Sequence, residues 1–108
     1  MKQSTLLIGG ECVATPHHAE VRNPSTGEVV GLMPLASEAD LDRAVAAATA
    51  AFESWSKTGD AERADACRAI AEKLAENAEE VARLLTLEQG KPLNGLGSRF
   101  EIGGALAW

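Results

Sequence analysis

The spacing of apolar residues changes once along the chain, close to Pro34. Before that point, apolar residues form short runs separated by turn residues, a pattern typical of strands joined by tight loops. After it, they recur at every third or fourth position, which is the spacing of an amphipathic helix. The pattern predicts short strands over residues 1–34 and helices over residues 37–108, in the α/β class.

The strand region contains two turns. Gly9 and Gly10 separate the apolar runs at residues 6–8 and 12–14, and because glycine adopts positive φ angles readily, this pair predicts a tight hairpin. A second turn is predicted where Asn-Pro at residues 23–24 is followed by Gly27.

Short strands are predicted on both sides of the second turn. Residues 20–22 form the first, and residues 29–33 form the second, with Pro34 as its end.

The first predicted helix begins at Ser37, which has the spacing of a capping box with Asp40. Gly59 is predicted to end it. Its apolar residues share one face and are Leu41, Ala44, Val45, Ala48, Phe52 and Trp55.

The helical pattern continues from Asp60, the predicted N-cap of the next helix, with a break expected at Asn77. Gly90 is predicted to end the helix after the break, and Pro92 blocks its continuation. The apolar positions before the break are Ala64, Cys67, Ile70, Ala71 and Leu74, and those expected to face a core beyond it are Val81, Leu84 and Leu85.

The final segment, residues 100–108, is apolar and predicted to be helical, with no cap and no polar tail. Aromatic residues make up only 4% of the chain, and large side chains supply most of the free energy of a core. We therefore expect the chain to be the opening segment of a larger protein, with no complete domain of its own.

The net charge of -6, with no stripe of basic residues, disfavours nucleic acid and anionic membranes as partners. No apolar run reaches the length of a secretory signal or a transmembrane helix. The two cysteines have neither disulfide-framework nor metal-ligand spacing, which favours a cytoplasmic location.

Few residues are candidates for chemistry. Cys67 lies on an apolar stripe and is predicted to be a buried structural thiol, and Cys12 is predicted to be unreactive. His17 and His18 belong to a predicted exposed loop at residues 15–18, without further metal ligands at suitable spacing.

Two glycine-containing segments resemble phosphate-binding loops only in part. Residues 88–92 contain Gly-Lys, but an earlier glycine and a following Ser or Thr are missing. Residues 95–100 begin like a dinucleotide fingerprint, but Phe100 occupies the place of the third glycine. Both are predicted to be turns, and no catalytic, cofactor-binding or metal-ligating residue is predicted in the chain.

Several motifs together resemble the N-terminal region of the NAD(P)-dependent aldehyde dehydrogenase superfamily. The resemblance covers nearly the whole chain and depends on motif order and spacing more than on any single motif. The clearest segments are Asn-Pro-Ser-Thr-Gly-Glu at residues 23–28 and Glu-Gln-Gly-Lys-Pro at residues 88–92, and the others are residues 7–11, 44–55 and 61–63.

The resemblance implies that these residues are part of the cofactor-binding domain of a larger enzyme. Such enzymes oxidise an aldehyde to a carboxylate with NAD or NADP, through a cysteine thioester that an activated water hydrolyses. In the family, the catalytic and cofactor-contacting residues lie beyond position 108, so none is assigned here. The resemblance also implies a homo-oligomer. The alternative is a small helical interaction module without catalysis.

Overall fold

The computed structural model describes residues 2–108, which contain five strands and four helices. Strands occupy the part up to Pro34 and helices the part from Glu38, in agreement with the predicted α/β order. The elements are β1 (Lys2–Gln3), β2 (Leu6–Ile8), β3 (Glu11–Val13), β4 (His18–Arg22), β5 (Val29–Pro34), α1 (Glu38–Trp55), α2 (Asp60–Glu76), α3 (Ala78–Gln89) and α4 (Ser98–Ala107).

These elements form two compact units. The first comprises the residues up to Val21 together with Val29–Thr58, and the second comprises Arg22–Glu28 together with Gly59–Trp108. The turn between β4 and β5 therefore belongs to the helical unit, although the strands on both sides of it belong mainly to the first.

The predicted hairpin is confirmed in the first unit. β2 and β3 pair antiparallel, with Leu6 opposite Val13 and Ile8 opposite Glu11. Gly9 and Gly10 have φ angles of 59° and 85°. These positive values suit a two-residue hairpin turn and favour glycine at both positions.

β5 lies between β1 and β4 in a separate three-stranded sheet. β1 runs parallel to β5, with Gln3 opposite Leu32. The loop predicted at residues 15–18 is one residue too long, because His18 already belongs to β4. Pro34 is the last residue of β5 rather than the residue beyond it, which a strand end permits.

The predicted capping box starts α1. The Asp40 amide donates to Ser37 Oγ at 3.2 Å, and the Ser37 amide donates to Asp40 Oδ2 at 2.9 Å. The helix ends at Trp55, however, four residues before Gly59. The amides of Lys57 and Thr58 bond three residues back, to Ser54 and Trp55, so the chain tightens into a turn.

Gly59 is instead the N-cap of α2, and Asp60 is its first helical residue without a side-chain cap. The N-cap prediction for Asp60 was therefore wrong by one position, although a carboxylate still favours the positive end of the helix dipole there. The break at Asn77 is confirmed, with φ -112° and ψ 10° between α2 and α3. Gly90 ends α3 with φ 72°, as predicted.

Few side chains within residues 2–108 are buried. Ala82 of α3, with 1% exposure, is the one buried hydrophobic residue among those that the structure describes. Val81, Leu84 and Leu85 are half-buried. The core expected on one side of α3 is therefore shallow, and it forms mainly where α3 contacts α4.

Candidate functional site

The thiol predicted to be buried, Cys67, is exposed. It lies on α2 and lines an open apolar groove whose other wall is the end of α4, so no element within residues 2–108 covers it. The stripe that predicted burial is present, but its spacing does not supply a covering element. Cys12 of β3 is also exposed, and both cysteines are free.

His17 is exposed, whereas His18 is half-buried in β4. The Nε2 atoms of His18 and Gln3 are 2.9 Å apart, which joins β4 and β1 side chains across the sheet. In the part of the chain that the structure describes, no three His, Cys, Asp or Glu side chains gather where a metal ion could bind.

Lys91 of the Gly-Lys segment is engaged by a carboxylate. Its Nζ lies 2.6 Å from Glu101 Oε2 of α4. A phosphate-binding lysine needs an ammonium group that is free to reach the phosphates held by a glycine-rich loop. Here the ion pair fixes the loop after α3 to the first turn of α4.

The backbone amides at the start of α4 are also used by the chain itself. The Ser98 amide donates to the Pro92 carbonyl at 2.8 Å, and the Arg99 amide donates to Leu93 at 3.1 Å. A Cβ on Gly97 would overlap the Pro92 carbonyl. The glycine-rich stretch therefore folds tightly onto its own loop, and the residues present do not fit a dinucleotide pyrophosphate.

The turn at Arg22–Glu28 is held by its own hydrogen bonds. The Gly27 amide donates to Asn23 O at 2.8 Å, and the Ser25 amide donates to Asn23 Oδ1 at 2.9 Å. Arg22 Nη1 donates to Gly27 O at 2.8 Å. The predicted turn is confirmed, and Gly27 has φ 77°, a positive value that favours glycine there.

This turn packs against the end of α3. A Cβ on Gly90 would lie 2.8 Å from Pro24 Cγ and 3.0 Å from Ser25 Oγ. The Asn-Pro-Ser-Thr-Gly-Glu and Glu-Gln-Gly-Lys-Pro motifs, more than sixty residues apart in sequence, therefore meet at a position where a larger residue would clash.

A charged cluster joins α3 to α4. Arg99 Nη2 and Nε bind Glu79 Oε1 and Oε2 at 2.6 and 2.9 Å, and Arg83 Nη2 binds Glu79 Oε1 at 2.7 Å. The hydrogen bonds from Arg99 are the main cause that lowers the pKa of Glu79 to about 2. The same contact raises the pKa of Arg99.

A hydroxyl pair lies at the same helix junction. Ser98 is fully buried, and its Oγ is 2.8 Å from Thr86 Oγ1. No motif predicted Ser98, Thr86, Glu79 or Arg99. Glu79 and Arg99 are twenty residues apart, beyond the i,i+4 range in which helical spacing indicates a pair.

The residues that the structure brings together thus form a junction among a turn and two helices. Its ionic and hydroxyl groups are paired with each other. Acyl-transfer catalysis needs a nucleophile within reach of a base. These contacts fix the positions of α3 and α4 relative to each other.

Comparison with known proteins identifies the family to which this chain is similar. The family model described as the aldehyde dehydrogenase family matches residues 13–106. A probable aldehyde dehydrogenase from Pseudomonas sp is 41% identical over 104 residues, which are 96% of this chain and 21% of that protein. Malonate-semialdehyde dehydrogenase 1 from Geobacillus thermodenitrificans is 47% identical over 89 residues, 81% of this chain and 18% of that protein.

Solved structures agree with these sequence matches. The NAD-dependent aldehyde dehydrogenase from Sinorhizobium meliloti superposes with a TM-score of 0.85 at 35% identity, covering 94% of this chain and 21% of that chain. Betaine aldehyde dehydrogenase from Staphylococcus aureus, solved with NAD+, gives 0.83 at 35% identity, over 93% and 20%. The chain belongs to the aldehyde dehydrogenase family and spans about a fifth of the length of these relatives.

Proposed function

We propose that this chain is the scaffold-forming front segment of an enzyme that oxidises an aldehyde to a carboxylate with NAD or NADP. The observation that carries the proposal is the match to the family over residues 13–106, with a fold that superposes on enzymes described as NAD-dependent or solved with NAD+. The reaction consumes the aldehyde, water and the oxidised cofactor, and it yields the acid, the reduced cofactor and a proton.

The role of residues 1–108 in this enzyme is to fix helix positions. The contact at Gly90 and the Glu79–Arg99 pair join segments distant in sequence, and the Lys91–Glu101 pair joins the loop after α3 to α4. Pre-organised scaffolds hold catalytic groups within the narrow limits that reaction geometry requires. We place the nucleophile, the base and the cofactor-binding groups outside this chain.

The compartment and assembly belong to the same proposal. We place the enzyme in the cytoplasm as a homo-oligomer that binds neither nucleic acid nor membrane. The two free cysteines suit a reducing compartment, and the net charge of -6 opposes binding to polyanions. None of the helices in residues 2–108 combines the length and apolarity needed to cross a bilayer.

A hybrid enzyme tests the proposal. In it, residues 1–108 replace the matching segment of malonate-semialdehyde dehydrogenase 1 from Geobacillus thermodenitrificans. We expect NADH formation from malonate semialdehyde by the hybrid and none by residues 1–108 alone, because we place the nucleophile and the base outside this chain. The unmodified relative is the positive control. A folded but inactive hybrid, or turnover by the isolated chain, would contradict the proposal.

A second candidate, a helical interaction module without catalysis, is favoured by the exposed apolar face of α1. Leu41, Val45 and Phe52 are 60%, 58% and 66% exposed. Thermal melting followed by circular dichroism separates the two proposals. A cooperative transition of monomeric residues 1–108 would favour the module, and a gradual melt would favour a segment that needs further structure.

A further inference from the structure

The loop before α4 contains an asparagine followed directly by a glycine. Asn94 and Gly95 are both exposed. They begin a four-residue turn, which the Gly97 amide closes by donating to the Asn94 carbonyl at 3.2 Å. Gly95 has φ 65°, the positive value that the second position of a primed turn requires. The dipeptide is therefore held in a defined turn at the surface of the chain.

The backbone amide of Gly95 is open to reaction. Within residues 2–108, this amide donates no hydrogen bond. A Cβ built at Gly95 would meet no atom within 4 Å, so no other part of the chain crowds this position. Glycine also has no side chain of its own in the way. Neither a hydrogen bond nor a neighbouring group therefore competes with attack of the Gly95 nitrogen on Cγ of Asn94.

The side-chain amide of Asn94 is polarised by a cation. Arg99 Nη1 donates to Asn94 Oδ1, while Nη2 and Nε of the same guanidinium bind Glu79. The two bonds to the carboxylate hold the guanidinium in place. A charged donor on a carbonyl oxygen stabilises the negative charge that the oxygen gains when a nucleophile adds to the carbon. Arg99 therefore lies where it favours such an addition at Asn94.

We propose that Asn94 is a site of spontaneous deamidation and that Arg99 promotes the reaction. The Gly95 amide loses its proton to solvent base, and its nitrogen bonds to Asn94 Cγ. The bond from Cγ to Nδ2 then breaks, ammonia leaves with a proton from water, and a cyclic succinimide remains. Water opens the ring at either carbonyl and gives aspartate or isoaspartate. The net reaction consumes one water, releases one ammonia and needs no other reactant.

The two products differ in their effect on the loop. Aspartate places a carboxylate where the amide now accepts from Arg99, so the contact becomes an ion pair. Isoaspartate also adds one backbone carbon between Pro92 and α4. The loop is tight there, because a Cβ on Gly97 would overlap the Pro92 carbonyl and the Ser98 amide donates to the same oxygen. We therefore expect isoaspartate to loosen the start of α4.

The other two asparagines of the chain are internal controls. Asn23 precedes a proline, whose nitrogen has no proton to lose. Asn77 precedes an alanine, and its Nδ2 donates to Lys73 O at 2.9 Å. The hybrid enzyme is incubated in heavy-oxygen water at neutral pH, and peptide mass spectrometry follows uptake of the isotope at each asparagine. We expect no uptake at Asn23 and uptake about tenfold faster or more at Asn94 than at Asn77, since only Asn94 precedes a residue without a Cβ.

Two substitutions separate the effect of Arg99 from a loosening of the junction. Arg99→Gln and Glu79→Gln both break the ion pair, but only Arg99→Gln removes the cation from Asn94 Oδ1. We expect Arg99→Gln to slow uptake at Asn94 by about two- to fivefold, the range that exposed charge contacts supply. Glu79→Gln should leave the rate unchanged or raise it. In the unsubstituted hybrid, added salt should slow uptake at Asn94 relative to Asn77, because salt screens exposed charges.

Hydrogen exchange tests the effect of the products. The amides of Ser98 and Arg99 donate to Pro92 and Leu93, so their exchange reports the start of α4. We expect this exchange to become faster as isoaspartate accumulates in the aged hybrid. Asn94→Asp carries the new charge without the added backbone carbon, and it should not speed the exchange.

The outcomes decide the site and the effect of Arg99 separately from the proposed function, because NADH formation enters none of these comparisons. Uptake at Asn94 no faster than at Asn77 would overturn the site. Equal slowing by both substitutions, or faster uptake in Arg99→Gln, would overturn the effect of Arg99, as would a salt-independent rate if Arg99→Gln does not fold. If the hybrid itself does not fold, residues 1–108 alone provide the sample and the same outcomes decide.

Discussion

Replacing Gly90 by alanine probes the contact between the two family motifs. Gly90 has φ 72°, and an added Cβ would lie 2.8 Å from Pro24 Cγ and 3.0 Å from Ser25 Oγ. Gly95 is a matched control, because its φ is 65° and a Cβ there meets nothing within 4 Å. Both substitutions impose the same backbone conformation on alanine, and only one adds a clash.

The two substitutions share their backbone costs. Left-handed backbone costs a residue with a Cβ about 1–2 kcal/mol. The lower entropy of the unfolded chain returns about 0.4–1 kcal/mol. Overpacking at Gly90 adds about 1–3 kcal/mol. Gly90→Ala should therefore be more destabilising than Gly95→Ala by about 1–3 kcal/mol.

Hydrogen exchange in the hybrid enzyme measures this difference locally. The amides of Ser25, Gly27 and Gly90 are hydrogen-bonded, so their exchange reports opening of the turn and of the α3 end. A difference of about 1–3 kcal/mol corresponds to exchange roughly 5- to 150-fold faster in Gly90→Ala than in Gly95→Ala. The increase should occur in both the 23–28 and the 86–90 peptides.

Two results would refute the reasoning. Equal exchange in the two variants would show that the turn yields to the added methyl group at no cost. Faster exchange at residues 86–90 alone would show that Pro24 and Ser25 are not held by the end of α3. The unsubstituted hybrid gives the reference rates for both peptides.

Three further outcomes are expected in the same hybrid. Glu79→Gln should make the α4 amides exchange faster than in the unsubstituted hybrid above about pH 5, and the two exchange rates should converge toward pH 2. A carboxyl whose pKa is lowered by folding stabilises the folded protein above its usual pKa of 4.5, and this contribution is lost as the pH falls to about 2. Ser37→Ala should cost the first turn of α1 about 1 kcal/mol, seen as faster exchange there, whereas equal rates would mean that the capping box is not formed. Ser98→Ala should lower the stability of the α3–α4 junction by about 1–3 kcal/mol, because it leaves the Thr86 hydroxyl unpaired, and adding Thr86→Val should recover part of that loss. Hydrogen exchange of α4 amides at increasing urea measures both changes. Additive free-energy losses in the double variant would argue against the hydroxyl pair.

Local signals predicted the local features of the fold well. The hairpin at Gly9 and Gly10, the capping box at Ser37 and the end of α3 at Gly90 each depend on residues within four positions of one another. Backbone conformation and nearby hydrogen bonds determine such features, so sequence spacing carries the information. The error in the predicted end of α1 is equally local. The helix ends at Trp55 rather than at Gly59, because turn hydrogen bonds compete with helical ones where a helix frays.

The junction could not be predicted, because its contacts connect positions far apart in sequence. Glu79 and Arg99 lie on different helices, and Pro24 reaches Gly90 from a turn between strands. The resemblance identified both motifs that meet at Gly90, but motif order says nothing about which motifs touch. Glycine at position 90 was expected from helix termination alone, and the structure adds a second, independent reason for it.

Cys67 shows what helical spacing leaves undetermined. Cys67 was predicted to be buried because it lies on an apolar stripe with Ile70 and Leu74, and the three residues do share one wall of a groove. Helical periodicity indicates which residues lie on the same face of a helix. Burial of that face also requires another element that packs on it, and the periodicity carries no information about that element. The shallow core, with Ala82 as the buried hydrophobic residue within positions 2–108, has the same cause. Helical spacing in α2 therefore predicted the shared face of these residues and did not predict their exposure.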